Sequence, residues 1–115
     1  QFLVNPISED KEYTSFNVTE NTTLTINDAT FNMYPILEIT GSGNLTITIN
    51  NNTFYLKNID GKCILDCKNK VITSNGNNIA NKMQYDFPIL KPGTNSITYS
   101  GTITSFLIKY KKAYL

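Results

Sequence analysis

The chain contains no histidine, no arginine and no tryptophan, and each absence removes a class of chemistry. Without histidine there is no Ser-His-Asp triad, no Cys-His nucleophile pair and no imidazole metal ligand, which removes most hydrolase and zinc-site readings. All ten basic residues are lysine, so the bidentate guanidinium grip on guanine or phosphate is missing. A formal net charge of +1 supplies no long-range field to attract nucleic acid or an anionic membrane. Long hydrophobic runs are missing too. Nothing approaches the roughly 20 apolar residues that cross a bilayer, so neither a nucleic-acid partner nor membrane insertion is expected.

Cysteine is scarce, with two residues in Lys62-Cys63-Ile64-Leu65-Asp66-Cys67. Four residues of straight strand at about 3.3 Å each set their Cα atoms roughly 13 Å apart, whereas a disulfide needs roughly 4.4–6.8 Å. No further cysteine or histidine completes a zinc site. Two free, partly buried thiols are expected, favouring a reducing compartment for synthesis.

What the chain has in excess is 16 Asn, 15 Thr and 14 Ile among 115 residues. Isoleucine and threonine are β-branched and suit a pleated, half-buried surface, while asparagine tolerates turns and positive φ. A genome rich in A·T codons also raises Asn, Ile and Lys. A chain of this length buries one core, so a single domain is expected. Period-two alternation dominates it: Phe16 and Val18; Leu24 and Ile26; Leu45, Ile47 and Ile49; Phe54 and Leu56; Ile97 and Tyr99; Phe106, Ile108 and Tyr110. The denser run from Tyr34 to Thr40 predicts a central strand.

Turns are expected at Gly41-Ser42-Gly43-Asn44, at Asn50-Asn51-Asn52 with type I′ geometry, at Asp60-Gly61, at Asn75-Gly76 and at Lys91-Pro92-Gly93-Thr94. Only residues 77–84 hold the pattern of a helical turn. About eight to ten strands in two facing antiparallel sheets follow, because one sheet of that size leaves an apolar face wet. The start, Gln1-Phe2-Leu3-Val4-Asn5-Pro6, has neither the cationic nor the apolar region of a signal peptide. It reads as the cut end of a longer protein. Residues 1–13, with Glu9, Asp10, Lys11 and Glu12, are expected to be a lead-in or linker from a missing N-terminal domain, and residues 14–115 a single β-sandwich domain.

Few constellations suggest chemistry. Nine carboxylates exist, but they fall in turns or on polar strand faces, unlike the facing pair of a glycosidase. Asp60, Asp66 and Asp86 form no Asp-x-Asp-x-Asp ladder for calcium. The Gly-Ser-Gly-Asn loop lacks the lysine and helix of a phosphate cradle. No catalytic residue, cofactor or metal is expected. Asn-x-Ser/Thr sequons begin at Asn17, Asn21, Asn44 and Asn51, as chance produces in a chain this rich in Asn and Thr, and imply no glycosylation. Tyrosine combines contact area with a polar tip, so Tyr55, Tyr85 and Tyr99 are the candidate contact aromatics, beside Tyr34, Tyr110 and Tyr114.

From Tyr34 onward the order of signals resembles the C-terminal domain of the phage distal tail protein family, also called siphovirus-type tail component. The matching residues are Tyr34-Pro35-Ile36-Leu37-Glu38-Ile39-Thr40-Gly41-Ser42-Gly43-Asn44, Ile49-Asn50 leading to Thr53-Phe54, Leu56-Lys57-Asn58-Ile59-Asp60-Gly61 and Ile64-Leu65-Asp66. They continue with Asn81-Lys82-Met83, Asp86-Phe87-Pro88-Ile89-Leu90-Lys91-Pro92-Gly93-Thr94-Asn95-Ser96-Ile97 and Ser100-Gly101. Two departures are visible: Tyr85 stands where the family usually has glycine, and Lys109-Tyr110-Lys111-Lys112 replaces an Arg/Trp-rich ending.

The resemblance implies a jelly-roll, galectin-like or carbohydrate-module-like sandwich attached to an N-terminal domain that forms a hexameric hub. The C-terminal domains would project as arms holding receptor-binding, tail-fibre or other baseplate proteins. The motif residues Tyr34, Pro35, Gly41, Gly43, Asp60, Gly61, Asp86, Phe87, Pro88, Pro92, Gly93 and Asn95 read as architectural. The leading expectation is therefore a non-enzymatic docking module of a virion tail tip, assembled in the bacterial cytoplasm and monomeric without its hub. The rival is a carbohydrate-binding module for bacterial cell-wall glycan; a weaker third reading is a carboxylate-based wall hydrolase fragment.

Overall fold

The computed structural model describes residues 8–114; the expectation for Gln1 to Pro6 lies outside them. The strands are β1 (Ser8–Glu9), β2 (Thr14–Asn17), β3 (Thr22–Ile26), β4 (Ile36–Ile49), β5 (Asn52–Asp66), β6 (Val71–Ser74), β7 (Asn77–Asn78), β8 (Met83–Gln84), β9 (Gly93–Tyr110) and β10 (Ala113–Tyr114). Alternation predicts β2, β3, β4, β5 and β9, while the short β1, β6, β7, β8 and β10 lie outside it. A 3-10 turn at Ala80–Lys82 occupies the segment expected to hold a helical turn. All strand pairs are antiparallel. Two residues of the expected lead-in, Ser8 and Glu9, pair with Tyr114 and Ala113.

Strand length departs from the sequence reading. Neither Gly41-Ser42-Gly43-Asn44 nor Asp60-Gly61 is a turn between strands, because β4 and β5 run through them, and β9 likewise continues past Gly101. Gly41 faces Gly61 on one side and Ile103 on the other. The register slips there: Gly43 pairs Ile59 but Leu45 pairs Leu56, and Thr40 pairs Ser105 but Gly41 pairs Ile103. Each extra residue is a bulge, which bends the strand without ending its ladder. The apolar alternation therefore changes phase inside β5, from Phe54 and Leu56 to Ile59, Cys63 and Leu65. From sequence, that change reads as two strands.

The bend folds the sheet onto itself. Tyr99 and Phe106 lie on one strand, where seven residues would span roughly 23 Å if straight, yet their ring centroids are 5.8 Å apart. The ends of β4 converge likewise. Met33, just before β4, pairs with Leu90, while Asn50, just after it, reaches the neighbouring Ile89 carbonyl at 3.4 Å. One layer of the sandwich thus runs β2, β9, β4, β5, β6, β7 and the other β3, β9, β4, β5, β8, with the three long strands shared. The central position expected for the strand after Tyr34 is occupied by β4, between β5 and β9. Leu37, Ile39, Leu45, Ile47, Ile49, Phe54, Leu65, Ile97, Phe106 and Ile108 fill the interior.

The bend requires glycine at two positions. A Cβ on Gly41 would collide with the Thr102 carbonyl oxygen, and one on Gly101, at φ 107°, would stand 2.6 Å from the Asn44 carbonyl oxygen. Among the turns, Asn75 and Gly76 both have positive φ, 52° and 80°, the type I′ pattern. At the β4–β5 hairpin only Asn50 does, at 59°. Its φ signs match type II′, correcting the type I′ expectation.

The far end of the sandwich is closed by Asn95, a fully buried polar side chain. Its Oδ1 accepts from Asn50 Nδ2 at 3.0 Å and from the Lys91 N–H at 2.9 Å. Its Nδ2 faces the carbonyls of Leu24 at 3.2 Å, Lys91 at 2.9 Å and Gly93 at 3.2 Å. One amide thereby joins β3, the turn entering β9 and the β4–β5 hairpin. Asn95→Ala should cost about 2–4 kcal/mol in urea unfolding, since it leaves the buried Leu24 carbonyl and part-buried groups of Lys91 and Gly93 without this partner. Gly101→Ala should cost a similar amount, about 2–4 kcal/mol, through strain and collision, while Thr23→Ala on an exposed edge should stay within about 0.5 kcal/mol.

Candidate functional site

Because the side chains of a strand alternate between faces, the register decides what each layer shows to solvent. In the layer containing β3, Thr46 stands beside Tyr55 and Ser100, Thr48 beside Thr53 and Thr98, Thr23 beside Ser96, and Thr25 beside Thr94. That outer face is a field of hydroxyls, with Thr48 and Thr53 bonded at 2.8 Å. The other layer differs. Glu38 lies between Ile64 and Leu107, and Ile36 between Asp66 and Lys109; Ile64 and Val71 are exposed. The Glu38 carboxylate is held by Lys109 at 2.6 Å and Lys62 at 2.9 Å. Those two ammonium groups, Lys109 first, hold its carboxyl below the usual carboxylate range despite partial burial.

The three candidate contact tyrosines do not share a surface. Tyr99 and Phe54 flank Ile47 in the register, so Tyr99 faces inward and is half-buried against Phe106. It lines a cleft of about 320 Å³ at the bend, with Asn17, Thr19, Ile103 and Ser105. Tyr55 points outward one residue away, and Tyr85 joins it: the rings lie 5.5 Å apart and are tilted by 59°. Tyr34 is exposed elsewhere, in a shallow groove with Glu9, Tyr13 and Lys68.

Tyr85 is unusual in a second way. Its φ of 77° lies in the left-handed region, which costs a bulky residue about 1 kcal/mol or more. The neighbours over-determine it. Gln84 and Met83 are paired to Tyr55 and Leu56, and the following carbonyl, of Asp86, accepts from Asn52 Nδ2 at 3.0 Å. The result is a ring that is 69% exposed, the most exposed large apolar side chain described.

The family-motif residues fall mostly where the chain must be shaped. Pro35 is buried, and its carbonyl accepts the Cys67 N–H at 3.1 Å at the entry to β4. Gly41, Gly43, Asp60 and Gly61 sit at the bend. Asp86, Phe87 and Pro88 lie in the connection before Leu90, with Pro88 buried and Phe87 packed on the core. Pro92 precedes Gly93, whose φ is 91°, as a type II turn requires. Asp66 caps the following turn by accepting from the Lys68 and Asn69 N–H groups. Cys63 and Cys67 are free and buried, and burial pushes their thiols up to about 11 and about 12, which makes them poor nucleophiles at neutral pH. The Glu38 clamp was not signalled by sequence spacing, since its two lysines come from distant strands.

A family model described as siphovirus-type tail component, C-terminal domain, matches residues 28–114. The chain belongs to that family. No curated protein and no solved structure matches it.

Tyr85→Gly should leave stability unchanged or raise it by up to about 1 kcal/mol, because relief of strain offsets glycine's backbone entropy and the lost ring contact; a loss above about 1 kcal/mol in urea would show that the ring holds the fold together. Glu38 has a lowered folded-state pKa, so its stabilisation is present above its ordinary value of 4.5 and disappears as pH falls through the folded value. Glu38→Gln should therefore lower stability at pH 7 by roughly 1 kcal/mol, with the difference shrinking at pH 3 in the same urea assay.

Proposed function

We propose that this chain is the C-terminal docking arm of a distal tail protein, a non-enzymatic structural part of a phage or prophage tail tip or baseplate. The observation that carries the reading is the family match across residues 28–114. The construction of the fold supports it. Three bent strands and the Asn95 knot make a stiff body suited to holding neighbours in fixed positions, and the architectural placement of the motif residues serves that stiffness. The face around Glu38, with exposed Ile64 and Val71 set among paired charges, has the mixture of apolar area and polar rim found at protein contacts.

Its partners on this reading are other tail-tip proteins, including receptor-binding or tail-fibre proteins. The matched region is by its description a C-terminal domain, so ring formation is assigned to an N-terminal hub, with residues 1–13 as the lead-in and 14–115 as the arm. Copies around such a ring turn individually weak contacts into avidity. Assembly takes place in the bacterial cytoplasm, and the protein ends in the virion tail.

Light scattering after size exclusion should give a monomer for this chain, and a stable hexamer would overturn the assignment of the ring to another domain. Antibodies raised against the chain should decorate the tail end of particles carrying it, viewed by immunogold microscopy. Label on the capsid, or none on intact tails, would sink the tail-tip reading.

A further inference from the structure

The Tyr55–Tyr85 pair adjoins a groove of about 210 Å³ that the docking role does not use. Its walls include Asn44, Thr46, Tyr55, Lys57, Lys82 and Gln84. They carry two ammonium groups and no carboxylate. Asn44 is fixed because its Oδ1 accepts the Asn58 N–H at 3.1 Å, and Lys82 is held by donating to the Asn58 carbonyl at 3.0 Å. Among the described residues, the Lys57 ammonium and the Gln84 amide have no ion pair or hydrogen bond, so the groove presents donors still to be satisfied.

The surroundings narrow the class of ligand. A protein contact is built on a contiguous apolar centre, but these rings stand at the border of a hydroxyl-covered face, beside Thr46, Thr48, Thr53, Thr98 and Ser100. Aromatic faces, amides and hydroxyls together suit a polyhydroxylated ring, whose C–H face lies on the π-system while its oxygens take the donors. The volume is about that of one sugar unit, and the lysines add attraction for an anion. The geometry points to a subsite for one anionic sugar residue of a glycan, bearing a carboxylate or a phosphate. Tyr55 and Tyr85 form the platform, Lys57 and Lys82 face the anion, and Gln84 and Asn44 meet the hydroxyls. The left-handed backbone at Tyr85 then has a purpose: it turns the ring out against Tyr55, extending the aromatic surface beyond the groove's own lining.

The site is tested by calorimetric titration of the chain with oligogalacturonate, mannose 6-phosphate and a neutral cello-oligosaccharide. At least one anionic probe should saturate with a Kd about tenfold or more below that of the neutral one, and the affinity should fall as salt rises. The better anionic probe identifies carboxylate or phosphate as the recognised group. Tyr85→Gly, if as stable as the parent in urea, should weaken that probe by about tenfold or more, while Lys57→Gln with Lys82→Gln should abolish the preference over the neutral sugar. Amide shifts should concentrate in residues 44–57 and 82–86. Failure of both anionic probes to saturate, unchanged binding by folded Tyr85→Gly, or equal affinity for the neutral sugar would overturn the proposal. None of these results bears on the tail-tip reading, which rests on the family match and is tested by particle labelling.

Discussion

Backbone passing against backbone at Gly41 and Gly101 is the constraint on which the rest of the molecule depends. β4 and β9 approach so closely there that a single methyl group at either position would strike a carbonyl oxygen. Register irregularities on β4, β5 and β9 at the corner let all three long strands turn together. Ending the strands and beginning new ones would have produced the same two layers, but with loops at the corner. Carrying the hydrogen-bond ladder around the corner couples the layers through the backbone, so neither can shift without the other. Asn95 then fastens the opposite end, where its side chain adds to the β3–β9 ladder and to the bond from the Asn50 N–H to the Ser96 carbonyl.

That coupling has a consequence for the surfaces. Two layers folded over one core show their outer faces in opposite directions. On one, Glu38 is clamped by Lys62 and Lys109 among Ile36, Ile64 and Leu107; on the other, threonine and serine hydroxyls run up to the Tyr55–Tyr85 pair. On the proposed docking reading, a protein neighbour would bind one side while the other side stays exposed. The geometry of the bend thereby sets how far apart the two contacts lie, and a stiff bend keeps that separation constant.

Much of the fold was legible because burial imposes period two on strands. Leu24, Ile26, Leu45, Ile47, Ile49, Ile97, Phe106 and Ile108 were placed inward from alternation alone, and all are buried. The bend was not legible, since a bulge is one unpaired residue and glycine next to serine and asparagine is also the composition of a hairpin turn. The division of the tyrosines was partly legible: Phe54 and Leu56 flank Tyr55 and set it on the opposite face, whereas Tyr99 shares the face of Ile97. The register agrees, with Ile47 opposite Tyr99 and Thr46 opposite Tyr55, but the meeting of Tyr55 with Tyr85 was hidden because it joins distant segments. The Glu38 clamp depends on strands nearly 50 residues apart in sequence meeting across β4, which local pattern does not encode.

Elsewhere local preference and tertiary structure agree: asparagine takes several positive-φ positions, Pro92 and Gly93 form the turn into β9, and β-branched residues line the layers. A sequence in which these levels agree folds to one state, so a conflict stands out. Tyr85 is such a conflict, a bulky side chain in a backbone conformation that glycine adopts freely, with its ring mostly in water. Burial does not explain it, and the hydrogen bonds on either side of it would be made by any residue. A feature that is locally unfavourable and mostly in water points to what it presents to solvent, as the proposed subsite requires. Here it presents an aromatic ring, tilted against Tyr55, beside unpartnered lysine and amide donors, so the left-handed backbone at Tyr85 fits the proposed recognition role, whereas the glycines at the bend serve architecture.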